Sequence, residues 1–164
     1  MLVEDIMEKE VFTIGPESKI SEAARVMSDE LIGYILIIED DNLLGILTER
    51  DIISEVVAEE KSPNEMKVKE LMSSPVITVD LKASVKDAVE MMTKNVIRRL
   101  PVTNEGKFVG IITSAGISSI LPSLDSGISK EIKSILASIN SIVKEKEKRK
   151  KEKEVDEKTS HYIS

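Results

Sequence analysis

Aliphatic residues along this chain recur with two periods, and the switch between them lays out the elements. Residues 33–38 form an almost unbroken apolar run, the length of a buried strand and too short for a helix. Residues 43–47 form another across Asp40-Asp41-Asn42, whose turn chemistry predicts a hairpin. Ahead of it, residues 11–14 predict a short strand closed by the Gly15-Pro16 turn. Ile20, Ala23, Ala24 and Met27 then recur at helical spacing, with Ser18 or Ser21 as the expected cap and Ser28 near the end. Ile52, Ile53, Val56 and Val57 predict the inner face of a second helix over residues 49–59. Residues 3–7 read as an opening helical turn.

A polar stretch with Pro63-Asn64 breaks the pattern, and the same order of strand, helix, strand, strand, helix begins again. Residues 76–79 predict the strand, and Ser84 caps a helix carrying Val85, Ala88, Val89 and Met92. Residues 99–103 and 108–112 make the hairpin around Asn104-Glu105-Gly106. Ile117, Ile120 and Leu121 lie on a last short helix that Pro122 ends. Met7, Met27, Met72, Met91 and Met92 suit core filling.

The recurrence is literal. Met7 and Met72, Val11 and Val76, Thr13 and Thr78, Ala23 and Ala88, Met27 and Met92, Ile32 and Ile97, Gly45 and Gly110, and Thr48 and Thr113 all stand 65 residues apart, with no insertion. Two units of this length suit a duplicated small domain closing into one body better than a solenoid, whose repeats run about 20–50 residues and need more copies. The most telling stretch is Gly45-Ile46-Leu47-Thr48-Glu49-Arg50-Asp51, answered by Gly110-Ile111-Ile112-Thr113-Ser114-Ala115-Gly116. Each reads as a strand turning into a helix. Thr48 and Asp51 make a Thr-x-x-Asp capping pair, which explains both residues without a ligand. The same turn exposes backbone N–H groups that suit a phosphate, and an aspartate beside it can accept from ribose hydroxyls.

Both halves resemble the CBS domain, and the pair resembles a Bateman module. The first half carries Asp5-Ile6-Met7, Val11-Phe12-Thr13-Ile14, Ile20-Ser21-Glu22-Ala23-Ala24 and the run from Gly45 to Asp51. The second carries Glu70-Leu71-Met72, Val76-Ile77-Thr78-Val79, Val85-Lys86-Asp87-Ala88, Ile97-Arg98-Arg99-Leu100-Pro101-Val102 and the run from Gly110 to Gly116. The resemblance implies an α+β fold: two pseudo-symmetric repeats of β-α-β-β-α order, helices on one face of each small sheet, plus a C-terminal helix. The expected division is repeat one at 1–60, a linker at 61–66, repeat two at 67–122, a helix at 123–154 and a disordered tail at 155–164.

The resemblance also implies a ligand and its contacts. The ligand is an adenosine compound: AMP, ADP, ATP or S-adenosylmethionine. In site one, Thr13 and Ile14 are expected near the base, Thr48 and Asp51 near ribose and the α-phosphate, and Arg98 and Arg99 on phosphate. Arginine grips phosphate oxygens in a bidentate geometry that lysine cannot match. Site two, with Thr78, Val79, Thr113 and Arg50, is expected to be weaker, because Gly116 replaces the aspartate and Gly33-Tyr34 replace the arginines. The implied function is a non-catalytic energy sensor that signals to a regulated protein and pairs as a homodimer.

Composition and charge narrow the classes. No cysteine and a single histidine, His161, leave no thiol nucleophile, no disulfide and no basis for a histidine-built metal site. No apolar run approaches a membrane span, and Met-Leu-Val-Glu-Asp lacks the basic start of a signal peptide, so a cytoplasmic protein is expected. Residues 128–164 hold 10 Lys+Arg against 7 Asp+Glu (10 − 7 = +3), whereas the rest holds 13 against 23 (13 − 23 = −10). An acidic body argues against nucleic-acid binding through the repeats. Beyond them, Ile128, Ile132, Ile135, Ile139 and Ile142, with Leu136 and Val143, form an apolar stripe at helical spacing that another surface must cover. That stripe supports the alternative function, an assembly protein with vestigial nucleotide sites. Residues 144–153, mostly Lys and Glu, read as a solvated extension of that helix.

Overall fold

The structure, a computed structural model, describes the backbone of residues 1–161 and the side chains of residues 1–145 and 148. The first repeat contains β1 (Thr13–Ile14), α1 (Ile20–Asp29), β2 (Tyr34–Glu39), β3 (Asn42–Thr48) and α2 (Glu49–Ile52). A short α3 (Val68–Leu71) leads into β4 (Val79–Asp80), α4 (Val85–Asn95), β5 (Arg99–Asn104), β6 (Lys107–Thr113) and α5 (Ser114–Ile120), and α6 spans Ser126–His161. Each repeat builds a three-stranded sheet, ordered β1-β2-β3 and β4-β5-β6. The first strand of each is parallel to the second. The chain has the α+β architecture and C-terminal helix expected from the pattern.

Three local expectations differ, each for a physical reason. Strand pairing in the second repeat begins only at Val79, not at Val76. In the first repeat Leu36 N donates to Phe12 O at 3.2 Å, but its counterpart is Pro101, which has no N–H to give. Helix α1 is not capped by Ser18 or Ser21. The N–H groups of Ile20 and Ser21 donate to the carbonyls of Met66 and Pro63, both at 3.0 Å, and the Glu22 carboxylate accepts from Lys19 N at 2.7 Å. Tertiary carbonyls thus take the donors that a serine cap would satisfy. The helix after Thr48 is regular for one turn only and continues as a π turn over Ile53–Val57. Val56 is buried, while Ile53 and Val57 face outward.

The described chain groups into two compact bodies, one of Met7–Leu81 with Pro101–Ile111, the other of Met1–Ile6 with Lys82–Leu100 and Ile112–Ser164. These bodies cut across the two repeats, because each repeat lends its lead-in segment to the other. In the first body Glu8 bridges Ile111, and Ser73 bridges Ile46. Adding 65 to Glu8 and to Ile46 gives Ser73 and Ile111, so the two bridges are one exchange made twice. Lys19 with Lys67, in the first body, and Leu2 with Ser84, in the second, repeat the device at the starts of α1 and α4. Neither repeat completes its own backbone pairing alone.

The first body centres on Ile20, Ala23, Met27, Ile35, Ile37, Leu47, Val56 and Val68, all buried. Its rim holds Glu17, which accepts from Lys67 Nζ at 2.5 Å and also from Lys69 Nζ. Hydrogen bonds from Lys67 and then Lys69 hold the Glu17 carboxyl at about 2, below its ordinary 4.5. A carboxyl lowered on folding stabilises above its unfolded value, and that contribution is lost as pH falls from about 4.5 toward 2. The group is exposed, so the effect is small. Glu17→Gln is therefore expected to flatten the acid limb of stability in that window, read by urea unfolding at stepped pH. Acid limbs of equal slope in the two proteins would show that the ion pair contributes nothing.

In the second body α6 packs on α4. Ile132, Leu136 and Ile139 are buried, and Lys86 pairs with Glu131 at 2.7 Å. The chain therefore covers the middle of its own isoleucine stripe, while Ile128 is exposed and Ile135 and Ile142 are half-buried. Helix α6 continues to His161, past Val155 where the disordered tail is expected; Lys and Glu, frequent in this stretch, are good helix formers. Residues 162–164 lie outside the described residues, as do most side chains of the charged extension after residue 145.

Candidate ligand-binding site

Strand β3 ends at Thr48 in an extended conformation, and α2 begins at once. Thr48 Oγ1 donates to Asp51 Oδ2 at 2.6 Å and accepts from Asp51 N at 3.3 Å. Asp51 Oδ2 also accepts from Thr48 N at 2.9 Å. This is the reciprocal capping box expected from the sequence. The box alone does not single out Asp51: Glu22, Glu70 and Asp87 return to the backbone three residues upstream in the same way. Those three lie in exposed hydrogen bonds, and the Asp51 bonds are partly buried. A carboxylate offers about four acceptor positions, so the cap leaves capacity for further donors.

The second turn lacks that carboxylate. Thr113 Oγ1 accepts from Gly116 N at 2.9 Å, a cap without reciprocation. Each turn is tied to the strand beside it by one backbone bond, Glu49 N to Gly33 O at 3.2 Å and Ser114 N to Arg98 O at 2.9 Å.

Of the expected site residues, Thr13, Ile14, Thr48, Arg50, Asp51, Thr78 and Val79 belong to the first body, and Arg98, Arg99 and Thr113 to the second. Within the first body, Thr13 is level with Leu36 on β2 and Thr48 with Tyr34, two residues away. Thr13 is exposed and Ile14 half-buried. Val79 is buried, so only its backbone can meet a ligand. The two arginines part company. Arg98 lines a recess of about 210 Å³ with Ser114, Ser118, Leu136 and Asn140, beside α5 and α6, whereas Arg99 opens β5.

One feature went unread at the level of sequence. A cleft of about 670 Å³ in the first body is lined by Asp40, Asp41 and Asn42 from one hairpin tip, Gly106 and Lys107 from the other, and Val76 and Thr78 between them. Thr78 is an expected site-two residue; Thr48 and Asp51 do not line this cleft. Asp40 and Asp41 both adopt positive φ, 48° and 63°, and their turn chemistry masks any other part they play. The signal was their counterpart at the same offset, Glu105-Gly106 followed by Lys107, which sets an opposite charge at the equivalent tip. Among the described residues, no group of three or more His, Cys, Asp or Glu is placed to hold a metal ion.

Comparison with known proteins matches the repeats and their fold. The CBS domain family matches residues 3–58 and again 68–123. An uncharacterized protein of Methanopyrus kandleri is 38% identical over 133 residues, covering 80% of this chain and 68% of its own. Hypoxic response protein 1 of Mycobacterium tuberculosis is 36% identical over 119 residues, covering 72% of this chain and 83% of its own. A crystal structure of a hypoxic response protein, which holds two coordinated zinc ions, superposes with a TM-score of 0.65 at 34% identity over 73% of this chain and 98% of that one. A conserved CBS domain protein of unknown function from Thermoplasma acidophilum superposes with a TM-score of 0.70 at 28% identity, covering 84% of this chain and 75% of its own.

Proposed function

The chain belongs to the CBS domain family, and we propose that it is a non-catalytic regulatory module that binds an adenosine compound and passes its occupancy to a protein partner in the cytoplasm. CBS pair proteins are commonly regulatory modules. The observation that carries the ligand reading is the partly buried Asp51 carboxylate at the Thr48 turn, set against Gly116 at the equivalent turn. On this reading Thr48 and Asp51 hold ribose, Thr13 and Ile14 meet the base, and Arg99 takes phosphate. Arg98, expected beside it, lines the recess with Leu136 and Asn140, and this proposal gives the phosphate to Arg99 alone. Thr78, Val79, Thr113 and Arg50 form the lesser site. A ligand shifts the module only by binding one of its conformations better than another. Among the described residues no helix is long and apolar enough to cross a membrane.

The assembly alternative has less support, because Ile132, Leu136 and Ile139 of the α6 stripe are buried where α6 packs on α4 of the same chain, which leaves Ile128 exposed. A second copy of the chain remains a proposed partner through another face.

Asp51→Ala separates the ligand reading from the capping role. Losing a charged hydrogen-bonding group is expected to weaken adenosine binding by about 1.5–3 kcal/mol. Losing the cap is expected to cost about 0.5–2 kcal/mol of stability. Calorimetry with adenosine, beside urea unfolding of the same sample, reads the two effects. A folded variant with unchanged affinity would return Asp51 to the cap alone.

A further inference from the structure

The recess of about 210 Å³ beside α6 gathers polar groups from three separate elements. Arg98 precedes β5, Ser114 opens α5 and Asn140 stands on α6, while buried Leu136 and Ile139 give the recess an apolar floor. Ser114 N donates to Arg98 O at 2.9 Å, which fixes those two backbones against each other. Ser118 Oγ is engaged, donating to Ser114 O at 2.8 Å. The Arg98 guanidinium, the Ser114 hydroxyl and the Asn140 carboxamide are not: none of them makes a hydrogen bond or ion pair with a described residue. No carboxylate lines the recess, although the chain carries a net charge of −7. A guanidinium keeps its charge at any ordinary pH, so the recess holds a permanent cation with donors around it.

The first repeat does not repeat this arrangement. The counterparts of Arg98, Ser114 and Ser118 are Gly33, Glu49 and Ile53. Glu49 and Ile53 line the equivalent groove, of about 230 Å³, and a carboxylate there repels an anion. The donors collect only on the face that carries α6. Size and shape then narrow the ligand. The recess falls below the about 300–1,000 Å³ of pockets that hold drug-sized molecules, which suits a small ion and not a nucleotide. Donors arriving from three elements suit a tetrahedral oxyanion, whose oxygens face every side, better than a carboxylate with two oxygens on one edge. Arginine can take two of those oxygens in its fork, leaving the others to a hydroxyl and an amide N–H.

We propose that this recess binds a small tetrahedral oxyanion of phosphate chemistry between Arg98, Ser114 and Asn140, and that the bound anion ties α6 to the start of α5. The site goes beyond the adenosine reading and does not rest on it, because that reading gives the nucleotide's phosphate to Arg99. Failure of nucleotide binding would leave it standing.

Titration of the ¹⁵N-labelled full chain with inorganic phosphate, and separately with O-phosphoserine, tests it, with chloride holding the ionic strength constant so that general screening does not change. One saturable event is expected, its amide shifts centred on Arg98, Ser114 and Asn140. Tighter binding of O-phosphoserine would support the site with a phosphorylated side chain as its source, and tighter binding of phosphate would support it with the free ion. Arg98→Gln, a change at an exposed side chain, is expected to weaken phosphate at least about tenfold, and Asn140→Ala about threefold. Arg99→Ala is expected to leave the affinity unchanged. Phosphate is also expected to slow hydrogen exchange of the α6 amides around Asn140 in the wild type and not in Arg98→Gln. Shifts that do not saturate, or that survive Arg98→Gln and vanish in Arg99→Ala, would overturn the site. Saturable binding that leaves α6 exchange unchanged would overturn the tie to α6.

Discussion

Arg99→Ala is expected to weaken AMP binding by about 10- to 100-fold, that is about 1.5–3 kcal/mol, while changing adenosine affinity by no more than about twofold. The reason is the charge-assisted, bidentate contact that a guanidinium makes with phosphate oxygens, which adenosine does not possess. Arg98→Ala is expected to leave both affinities nearly unchanged, since Arg98 lines the recess beside Ser118, Leu136 and Asn140. The double variant should then match Arg99→Ala, and Arg50→Ala should spare the dominant binding event. Calorimetry with AMP and adenosine across these variants reads the result. Equal losses for the two ligands would place the phosphate elsewhere, and a large loss from Arg98→Ala would reverse the assignment between the arginines.

A second large effect concerns stability and two equivalent glycines. Gly110→Ala sets a Cβ 2.5 Å from Glu8 O. That oxygen is held by a backbone bond from Ile111 N at 2.9 Å, and Glu8 N donates back to Ile111 O at 2.8 Å. Backbone fixed by two reciprocal bonds cannot yield without breaking the exchange that joins the repeats. The expected loss is about 1–3 kcal/mol. At Gly45 the new Cβ would meet Sδ, Cγ and, at 2.9 Å, Cβ of Met72, of which the first two belong to a flexible thioether side chain that can swing away while the third moves only with the backbone. Gly45→Ala is therefore expected to cost less. Urea unfolding of both variants measures the difference, and equal losses would show that the Glu8–Ile111 exchange is not what makes Gly110 a glycine.

The offset of 65 made the hairpins legible, because runs such as residues 33–38 and their counterparts repeat both period and turn chemistry. It also located the Thr48 turn and the loss of its carboxylate at Gly116. The lead-in exchange was not legible. Glu8 and Ser73 lie in segments without periodicity, and a backbone bridge leaves no mark on side-chain choice. Nor could sequence place the cap of α1, since the satisfying carbonyls come from Pro63 and Met66 more than 40 residues on. Helical spacing showed that the stripe on α6 needed a cover but not which surface supplied it; α4 packs against α6, where Ile132, Leu136 and Ile139 are buried. At the site, Arg98-Arg99 read as one phosphate grip. Their different surroundings emerge only once the recess beside α6 is seen.

The most direct measurement of the central claim is calorimetric titration of the wild-type chain with AMP, ADP, ATP and S-adenosylmethionine, after mass spectrometry of any small molecule released from the purified protein. The expected result is one dominant saturable event per chain for at least one of these compounds, with the remaining site weaker. No binding of any of the four at millimolar concentration, by a folded chain that released no adenosine compound, would contradict it.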